Sequence, residues 1–309
     1  MKCINKWICL SLLIAVSCVS GCGKTSAAIE QPYDVYATAA DFGLSSNGTA
    51  EAKSYFASDL CVSEDVAIGT DSTDSQVAEG AGTFNLETNP VVYAKNLYER
   101  LYPASTTKIL TAYIALKYCD DLDAMVTVSE NAVNQASDSS VCNLKAGDVI
   151  RLRDLLYGLM LRSGNDAAVA IAEYISGDVD SFAALMNQEA AAMGATRSHF
   201  VNPNGLPDEN HYTCVYDMYL IFSNAIKNDT FVSIIGTTSY DVTYTDASGE
   251  AVTHTWENTN QYLTGNATTP DGFQIVGGKT GTTGEAGYCP ASRSYRSYSK
   301  RTVSPISIF

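Results

Sequence analysis

Residues 102–112 read YPASTTKILTA, and this stretch joins a serine to a lysine that follows three residues later. Apolar residues recur at helical spacing through residues 106–118, which predicts that Ser105 stands at the start of a helix. Backbone N–H groups in a first helical turn have no partner within the helix and can stabilise negative charge. Lys108 is expected on the same face as Ser105. The pair therefore predicts a serine nucleophile with a lysine as its base.

A lysine can serve as a base only if it loses its proton near neutral pH, and a serine hydroxyl is a weak nucleophile without a base. Burial and a second nearby cation both lower the pKa of a lysine. Lys279, in the motif Lys279-Thr280-Gly281, is the candidate second cation. The Ser105–Lys108 pattern alone is more typical of an N-cap serine followed by a surface lysine, so the argument needs the other motifs.

The second motif is Ser163-Gly164-Asn165, which falls between predicted helices at residues 152–161 and 167–175. A serine hydroxyl there could pass a proton to a leaving amine. The asparagine amide could hold both Lys108 and a substrate amide. On its own, the motif would be read as a helix break with an N-cap.

The third motif closes an extended, glycine-rich segment at residues 273–278. An edge strand can pair with an extended peptide substrate. Lys279 and Thr280 would then bind a terminal carboxylate, and Gly281 would let the backbone come close. On its own, the motif would be a surface strand end.

Strands are predicted near both ends of the domain, with helices between them. A turn at Asn89-Pro90 indicates a hairpin. This arrangement predicts an α+β fold. The remaining predicted elements are strands at 81–88, 91–95, 237–245 and 252–255, and helices at 106–118, 152–161, 167–175, 181–193 and 217–226.

The three motifs in this order resemble those of the serine D-Ala-D-Ala carboxypeptidases, the low-molecular-weight penicillin-binding proteins of peptidase family S11. The resemblance covers residues 77–289 and implies a β-lactamase/transpeptidase-like fold, in which a central antiparallel sheet adjoins a helical subdomain. Besides YPASTTKILTA, it rests on DLLYGLMLRSGNDAA at 154–168, NPNGL at 202–206, GKTGT at 278–282 and AGYC at 286–289.

The resemblance also implies the roles of individual residues. Ser105 would be acylated with Lys108 as its general base, while Ser163 and Asn165 would assist proton transfer and hold substrate. The backbone N–H groups of Ser105 and Thr282 would form the oxyanion hole. Substrate binding falls to Lys279, Thr280, Gly281 and Thr282. No metal or cofactor is expected, since the cysteines lack a CxxC spacing and the histidines lack a ligand spacing.

The implied reaction removes the terminal D-alanine of peptidoglycan stem peptides through an acyl-Ser105 intermediate, and penicillins would acylate the same serine. A β-lactamase-like hydrolase is an alternative, although no ExxLN-like segment lies between Ser163 and Lys279. A catalytically inactive lipoprotein that binds cell-wall peptides or β-lactams is another. The residue preceding D-Ala-D-Ala, and carboxypeptidase against endopeptidase action, stay open.

The N-terminus predicts export. Lys2 and Lys6 precede an apolar run at residues 7–19 that is too short for a membrane span and typical of a signal peptide. The run ends in VSGC, which resembles a lipobox, so residues 1–21 are predicted as a lipoprotein signal and Cys22 as the lipidated residue. Cleavage near Ala27 is the alternative. Residues 22–76 are predicted as a mostly disordered tether.

The expected location is therefore the outer face of the cytoplasmic membrane, with attachment through the lipid on Cys22, or secretion. The formal net charge of −15 argues against a nucleic-acid partner.

The chain departs from the family pattern after Cys289. Relatives are expected to continue with a strand, a tight turn and a second strand that complete the central sheet. Residues 290–301 instead read PASRSYRSYSKR, which is basic and serine-rich. Residues 290–309 are therefore predicted to be an aberrant tail, from a divergent terminus or a frameshift that resequencing the gene would reveal. The sheet would be incomplete beside the strand of Lys279, and folding would be poor.

Overall fold

The computed structural model describes residues 59–69, 78–269, 272–284, 286–298, 301–303 and 305–308. Its helices are α1 (Lys108–Tyr118), α2 (Glu130–Val133), α3 (Leu152–Leu161), α4 (Asn165–Ser176), α5 (Val179–Ala192), α6 (Val215–Ala225) and α7 (Asp229–Ile235). Its strands are β1 (Ala81–Asn85), β2 (Val91–Lys95), β3 (Met125–Thr127), β4 (Val149–Arg151), β5 (Ser239–Thr245), β6 (Ala251–Glu257), β7 (Phe273–Lys279), β8 (Thr282–Thr283), β9 (Gly287–Tyr288), β10 (Ala291–Tyr298), β11 (Arg301–Val303) and β12 (Pro305–Ile308). The predicted α+β class is confirmed.

The larger sheet is antiparallel and joins both ends of the described chain. The predicted hairpin is present as β1 and β2, and β12 pairs with the other edge of β1. Strand β10 pairs with β12 and β11 on one side and with β7 on the other. Among the described strands, β7 therefore lies at the edge of this sheet, which brings Lys279 to the end of an edge strand.

The smaller sheet has the order β3-β4-β5-β6 and contacts α3 and α4. The prediction of strands at 237–245 and 252–255 is confirmed by β5 and β6, which pair from Ser239–Glu257 to Thr245–Ala251. The short strands β3 and β4 were not predicted, because three residues are too few to show an alternating pattern.

Helix α1 runs through the middle of the helical layer, in contact with α3, α4, α5 and α6. Its apolar side chains point to more than one side, and Ile109, Leu110, Ile114 and Ala115 are all fully buried. A helix that is apolar around most of its circumference belongs in a core. Its first residue, Lys108, is consequently carried into the protein interior with no exposed surface.

The prediction of an incomplete sheet after Cys289 is wrong. Residues 291–298 form β10, which pairs with β7 from Ala291–Lys279 to Arg296–Phe273, with a register shift between Arg293 and Ser294. A strand ladder is made by backbone N–H and C=O groups, so a polar sequence can still form it. The sequence of β10 lacks the apolar alternation of a buried strand, so its pairing with β7 was not predicted. The polar character of its side chains was predicted correctly.

Arg293 shows what a polar sequence costs in this strand. It lies in β10 between Gly277 of β7 and Ile306 of β12. Its Nε is buried and has no hydrogen-bond partner within the described residues. An unsatisfied buried donor costs about 1–3 kcal/mol, and more if charged.

Replacing this side chain with an apolar one should therefore stabilise the protein. We expect Arg293→Val to raise the free energy of unfolding by about 1 kcal/mol and the Tm by about 2–4 °C. Arg153→Ala is the control, because Arg153 is partly exposed and pairs with Asp123 on the surface. Thermal melts of both variants test this prediction. An Arg293→Val protein that is no more stable than wild type would contradict the predicted stabilisation.

The predicted domain boundary at residue 77 also needs correction, because residues 59–69 pack on the domain. Cys61 is fully buried, its N–H donates to the Tyr219 hydroxyl at 2.8 Å, and its carbonyl accepts from Tyr216 at 3.0 Å. Ile68 bridges to Ala94 of β2. An irregular segment held by single contacts carries no periodicity from which it could have been predicted.

The signal peptide, Cys22 and the rest of the predicted tether lie outside the described residues. Within the described part of the chain, no helix combines the length and apolar character that a membrane crossing requires. Cys61, Cys119, Cys142, Cys214 and Cys289 are free thiols, so none of these five forms a disulfide.

Candidate active site

Ser105 lies in a 3₁₀ turn, Ala104–Thr107, that runs directly into α1. Ala104 has a positive φ of 48°, which is unusual for a residue other than glycine and is a form of strain found at functional sites. The neighbouring loop enforces this geometry, because Gly205 lies against the Ala104 carbonyl. A Cβ at Gly205 would fall 1.8 Å from that oxygen, so only glycine fits there.

Lys108 directs its ammonium group at three oxygen atoms. Its Nζ lies 2.9 Å from Ser105 Oγ, 2.8 Å from Asn165 Oδ1 and 2.6 Å from the Asn204 carbonyl oxygen. A neutral amine has two N–H bonds and one lone pair. Because Asn165 Oδ1 and the Asn204 carbonyl can only accept, they take both N–H bonds. The lone pair is then left for the hydroxyl proton of Ser105.

The surroundings of Lys108 favour this neutral form. Burial lowers the pKa of Lys108 well below its ordinary value, and the charge of Lys279 lowers it further. Burial also lowers the pKa of Lys279, to about 7. As the sequence predicted, Lys279 acts as a second cation near Lys108. Inside the buried site, repulsion between the two charges favours the neutral form of Lys108.

The second motif connects α3 to α4. Ser163 is buried and has a positive φ of 59°, and Asn165 is the first residue of α4. The Asn165 N–H donates to the Ser140 carbonyl at 2.8 Å, which fixes its backbone, while its side chain reaches Lys108. The structure therefore brings Asn165 into direct contact with Lys108 and places Ser163 two residues before Asn165.

The third motif approaches Ser105 from the edge of the large sheet. Lys279 ends β7, is buried, and donates to the Thr280 carbonyl, while the Thr280 hydroxyl lies 2.8 Å from that of Thr259. A Cβ added at Gly281 would fall 3.0 Å from the Ser105 backbone nitrogen. The absence of a side chain at Gly281 therefore keeps the space beside the Ser105 N–H open.

These elements enclose a cavity of about 360 Å³ beside Ser105. One wall comes from residues 138–140, a second from residues 204–207, and a third from residues 282–284 after the third motif. Both Ser105 and Asn165 are exposed on its inner surface. An extended chain lying in this cavity would pass Ser105 and Thr282.

Two groups that shape the surroundings of Ser105 and Lys108 were not predicted from the sequence. The Asn204 carbonyl belongs to the backbone, so its contact with Lys108 has no signature in residue type. His211, one of the histidines that lack a ligand spacing, is buried and accepts from the Val201 N–H at 3.1 Å, so its Nε2 carries the proton and donates to Thr107 Oγ1 at 2.9 Å. Burial lowers the pKa of His211 to about 4, so it stays neutral and ties the 201–211 segment to the first turn beside Ser105.

The chain matches the family model described as D-alanyl-D-alanine carboxypeptidase, peptidase S11, over residues 69–304. It belongs to this family. The match extends beyond the predicted limits of 77 and 289 at both ends, and it includes β10 and β11.

Curated relatives agree with this assignment. The chain is 35% identical to the D-alanyl-D-alanine carboxypeptidase DacF of Bacillus subtilis over 219 residues, which are 69% of this chain and 52% of DacF. It is 36% identical to a D-alanyl-D-alanine carboxypeptidase of Streptomyces sp. K15 over 222 residues, which are 69% of this chain and 74% of that protein. The chain thus spans about half the length of the Bacillus relative.

The solved structures show the same fold. The crystal structure of the Streptomyces K15 DD-transpeptidase aligns with a TM-score of 0.67 at 33% identity, covering 75% of this chain and 89% of that one. A penicillin-binding protein homologue from Mycobacterium tuberculosis aligns with a TM-score of 0.63 at 28% identity and the same share of this chain. The predicted transpeptidase-like fold, with its antiparallel sheet beside a helical layer, is confirmed.

Proposed function

We propose that this protein is a serine D-Ala-D-Ala carboxypeptidase that removes the terminal D-alanine of peptidoglycan stem peptides. The observation that carries the proposal is the geometry around Lys108, whose two acceptors leave a lone pair aimed at Ser105. The family assignment supports the substrate class, since the relatives are named for D-alanyl-D-alanine.

In the acylation step, Ser105 Oγ attacks the carbonyl carbon of the penultimate D-alanine as its proton passes to Lys108 Nζ. The tetrahedral oxyanion is stabilised by the backbone N–H groups of Ser105 and Thr282. The proton then passes, with the help of Ser163, to the nitrogen of the terminal D-alanine. The C–N bond breaks, D-alanine leaves, and Ser105 carries an ester.

Deacylation repeats these roles with water as the nucleophile. Lys108 takes a proton from water as the hydroxide oxygen bonds to the ester carbon. Collapse of the second tetrahedral intermediate breaks the bond to Ser105 Oγ, which recovers the proton from Lys108. The products are free enzyme and a stem peptide shortened by one residue.

Substrate binding uses the edge of β7. The peptide pairs with the segment that follows Lys279, where β7 ends, and its terminal carboxylate is held by Lys279, Thr280 and Thr282. Gly281 keeps the approach to the Ser105 N–H open. A penicillin presents a carboxylate and a reactive carbonyl to the same groups, so it acylates Ser105.

The direct test is release of D-alanine from an N-acylated L-Lys-D-Ala-D-Ala peptide, measured with a D-alanine oxidase assay. We expect turnover of the peptide and a slowly hydrolysed adduct with a fluorescent penicillin. Rapid nitrocefin hydrolysis without D-alanine release would favour the β-lactamase alternative. β-Lactam binding with neither reaction would favour the inactive lipoprotein.

A second prediction concerns pH. Peptide binding needs Lys279 in its charged form, and the pKa of this group in the free protein is about 7. We therefore expect KM for a peptide with a free carboxylate to rise as the pH increases from 7 to 9. The C-terminal amide of the same peptide is the control, because it has no carboxylate and its KM should lack this alkaline limb. A carboxylate peptide whose KM does not change between pH 7 and 9 would contradict the assignment.

We also propose that the protein is exported and anchored through a lipid on Cys22. The lipobox-like VSGC and the preceding basic and apolar segments support this proposal. Cys22→Ser should move the protein from the membrane fraction to the soluble fraction and abolish labelling by a palmitate analogue. An unchanged membrane fraction would favour another form of attachment.

A further inference from the structure

The carboxylate of Asp166 is buried one residue after Asn165 and is hydrogen-bonded almost entirely to backbone N–H groups. The residue is 2% exposed. Both carboxylate oxygens lie 2.9 Å from the Cys142 nitrogen, Oδ2 accepts from Leu144 at 3.2 Å, and Oδ1 accepts from Ala167 at 2.9 Å. Hydrogen bonds to an ionised acceptor are about twice as strong as neutral ones. Asp166 therefore fastens the chain at 142–144 to the first turn of α4.

The segment that Asp166 holds at 142–144 is preceded in sequence by residues that line the cavity. Residues 138–140, which Val141 separates from Cys142, form one wall beside Ser105. Asn165 adds a second attachment, since its N–H donates to the Ser140 carbonyl. Gly164 lies so close that a Cβ there would fall 2.4 Å from Cys142 Sγ. The turn that presents Asn165 to Lys108 is thus the same turn that holds this wall.

We propose that Asp166 is a positioning residue for substrate, because it sets the distance between the wall at 138–140 and the opposite wall at 282–284. The inference rests on the proposed function. An extended peptide lying between two walls needs both at a fixed separation, and a small displacement of one wall weakens every contact on that side. Asp166 does not contact substrate itself; it acts through the segment that it holds.

Asp166→Asn tests the idea with little change in volume. An asparagine can accept with one oxygen only, and its NH₂ group would face backbone donors that the second carboxylate oxygen now satisfies. We expect KM for the D-Ala-D-Ala peptide to rise about tenfold while kcat changes by less than about threefold, since Ser105 and Lys108 keep their own contacts. Asp154→Asn is the matched control.

Asp154 is also fully buried, and it binds Arg151 and the Tyr240 hydroxyl, neither of which borders the cavity. Its substitution should lower the Tm and leave KM within twofold of wild type.

A pH profile supplies a readout that a purely structural role would not move. The charged and titratable groups that act on Lys108 are Lys279 at the end of β7, the Cys142 thiol, Asp166 of α4 and His211. The negative charge of Asp166 raises the pKa of Lys108. Asp166→Asn should therefore move the acidic limb of kcat/KM to lower pH, and Asp154→Asn should leave it in place.

A second variant alters the wall at 138–140 itself and leaves Asp166 in place. Ser139→Gly combined with Ser140→Gly loosens the wall without touching the core, so it tests the inference even if Asp166→Asn does not fold. A KM increase in this variant, with normal kcat, supports the inference. A KM within twofold of wild type in either folded variant would overturn it. A wild-type protein that releases no D-alanine would contradict the proposed function instead, which separates the two failures.

Discussion

Ser105→Ala should abolish both D-alanine release and covalent penicillin labelling, with a fall in kcat of at least about 10³-fold, as for loss of a catalytic nucleophile. Of the three oxygens that Lys108 Nζ contacts, the Ser105 hydroxyl is the one that carries a proton to give up, because Asn165 Oδ1 and the Asn204 carbonyl can only accept. Without it, no acyl-enzyme forms. Intact-mass spectrometry after incubation with penicillin should show one adduct on wild type and none on the variant.

The same experiment separates the enzyme from an inactive binding protein. A protein that binds β-lactams without reaction would bind them equally well with alanine at position 105, and it would show no mass adduct in either form. Ser129→Ala is a suitable control, because Ser129 caps α2 and bonds to Glu173 away from the cavity. That variant should lose about 1 kcal/mol of stability and keep its activity. D-alanine release by Ser105→Ala at the wild-type rate would contradict the assignment of the nucleophile.

The sequence predicted which side chains gather around Ser105, and the reason is physical. Ser105, Lys108 and Asn165 are side chains whose chemistry is visible in residue type, and the structure places them within hydrogen-bonding distance. The Asn204 carbonyl completes the environment of Lys108, yet any residue has a carbonyl. Its presence there depends on a tertiary approach that periodicity does not encode.

The strand β10 shows the opposite error. Its sequence ASRSYRSY lacks the apolar alternation of a central strand, and it was predicted to leave β7 unpaired. Backbone pairing with β7 nevertheless forms from Lys279 to Phe273, with one register shift between Arg293 and Ser294. The polar sequence of β10 does have a cost, because it leaves the buried Arg293 Nε without a hydrogen-bond partner. The sequence was therefore informative about stability, although the prediction of topology drawn from it was wrong. A frameshift near this point stays a prediction for resequencing.

Asp166 lies between these cases. It belongs to the quoted segment at 154–168, but an aspartate in a first helical turn is ordinarily favoured by the helix dipole alone. Only the fold reveals that its oxygens bind the backbone at Cys142 and Leu144 instead of facing solvent. Side chains that act by holding another segment are therefore systematically harder to predict than side chains that act on substrate.

Lys108→Gln should reduce kcat by about 10²–10⁴-fold, the usual contribution of a general base, although the protein stays folded. An amide has no basic lone pair, but its NH₂ group can still donate to Asn165 and to the Asn204 carbonyl. Lys108→Arg should be equally inactive, because a guanidinium does not lose its proton in proteins. D-alanine release and stopped-flow penicillin acylation measure the loss, and activity in either variant above a tenth of wild type would exclude Lys108 as the base.

Although Lys108→Gln should reduce activity, it should not reduce the stability of the protein at neutral pH. Because burial and Lys279 lower the pKa of Lys108, the unfolded chain binds more protons than the folded chain between the folded-state pKa and about 10.4. Wild-type stability should therefore increase with pH across this range relative to Lys108→Gln, which lacks the titrating group. At pH 7 the variant should melt no lower than wild type, and its advantage should shrink towards pH 10. Loss of activity together with equal or greater stability at pH 7 would show that this lysine is kept in the core for its chemistry and not for its packing.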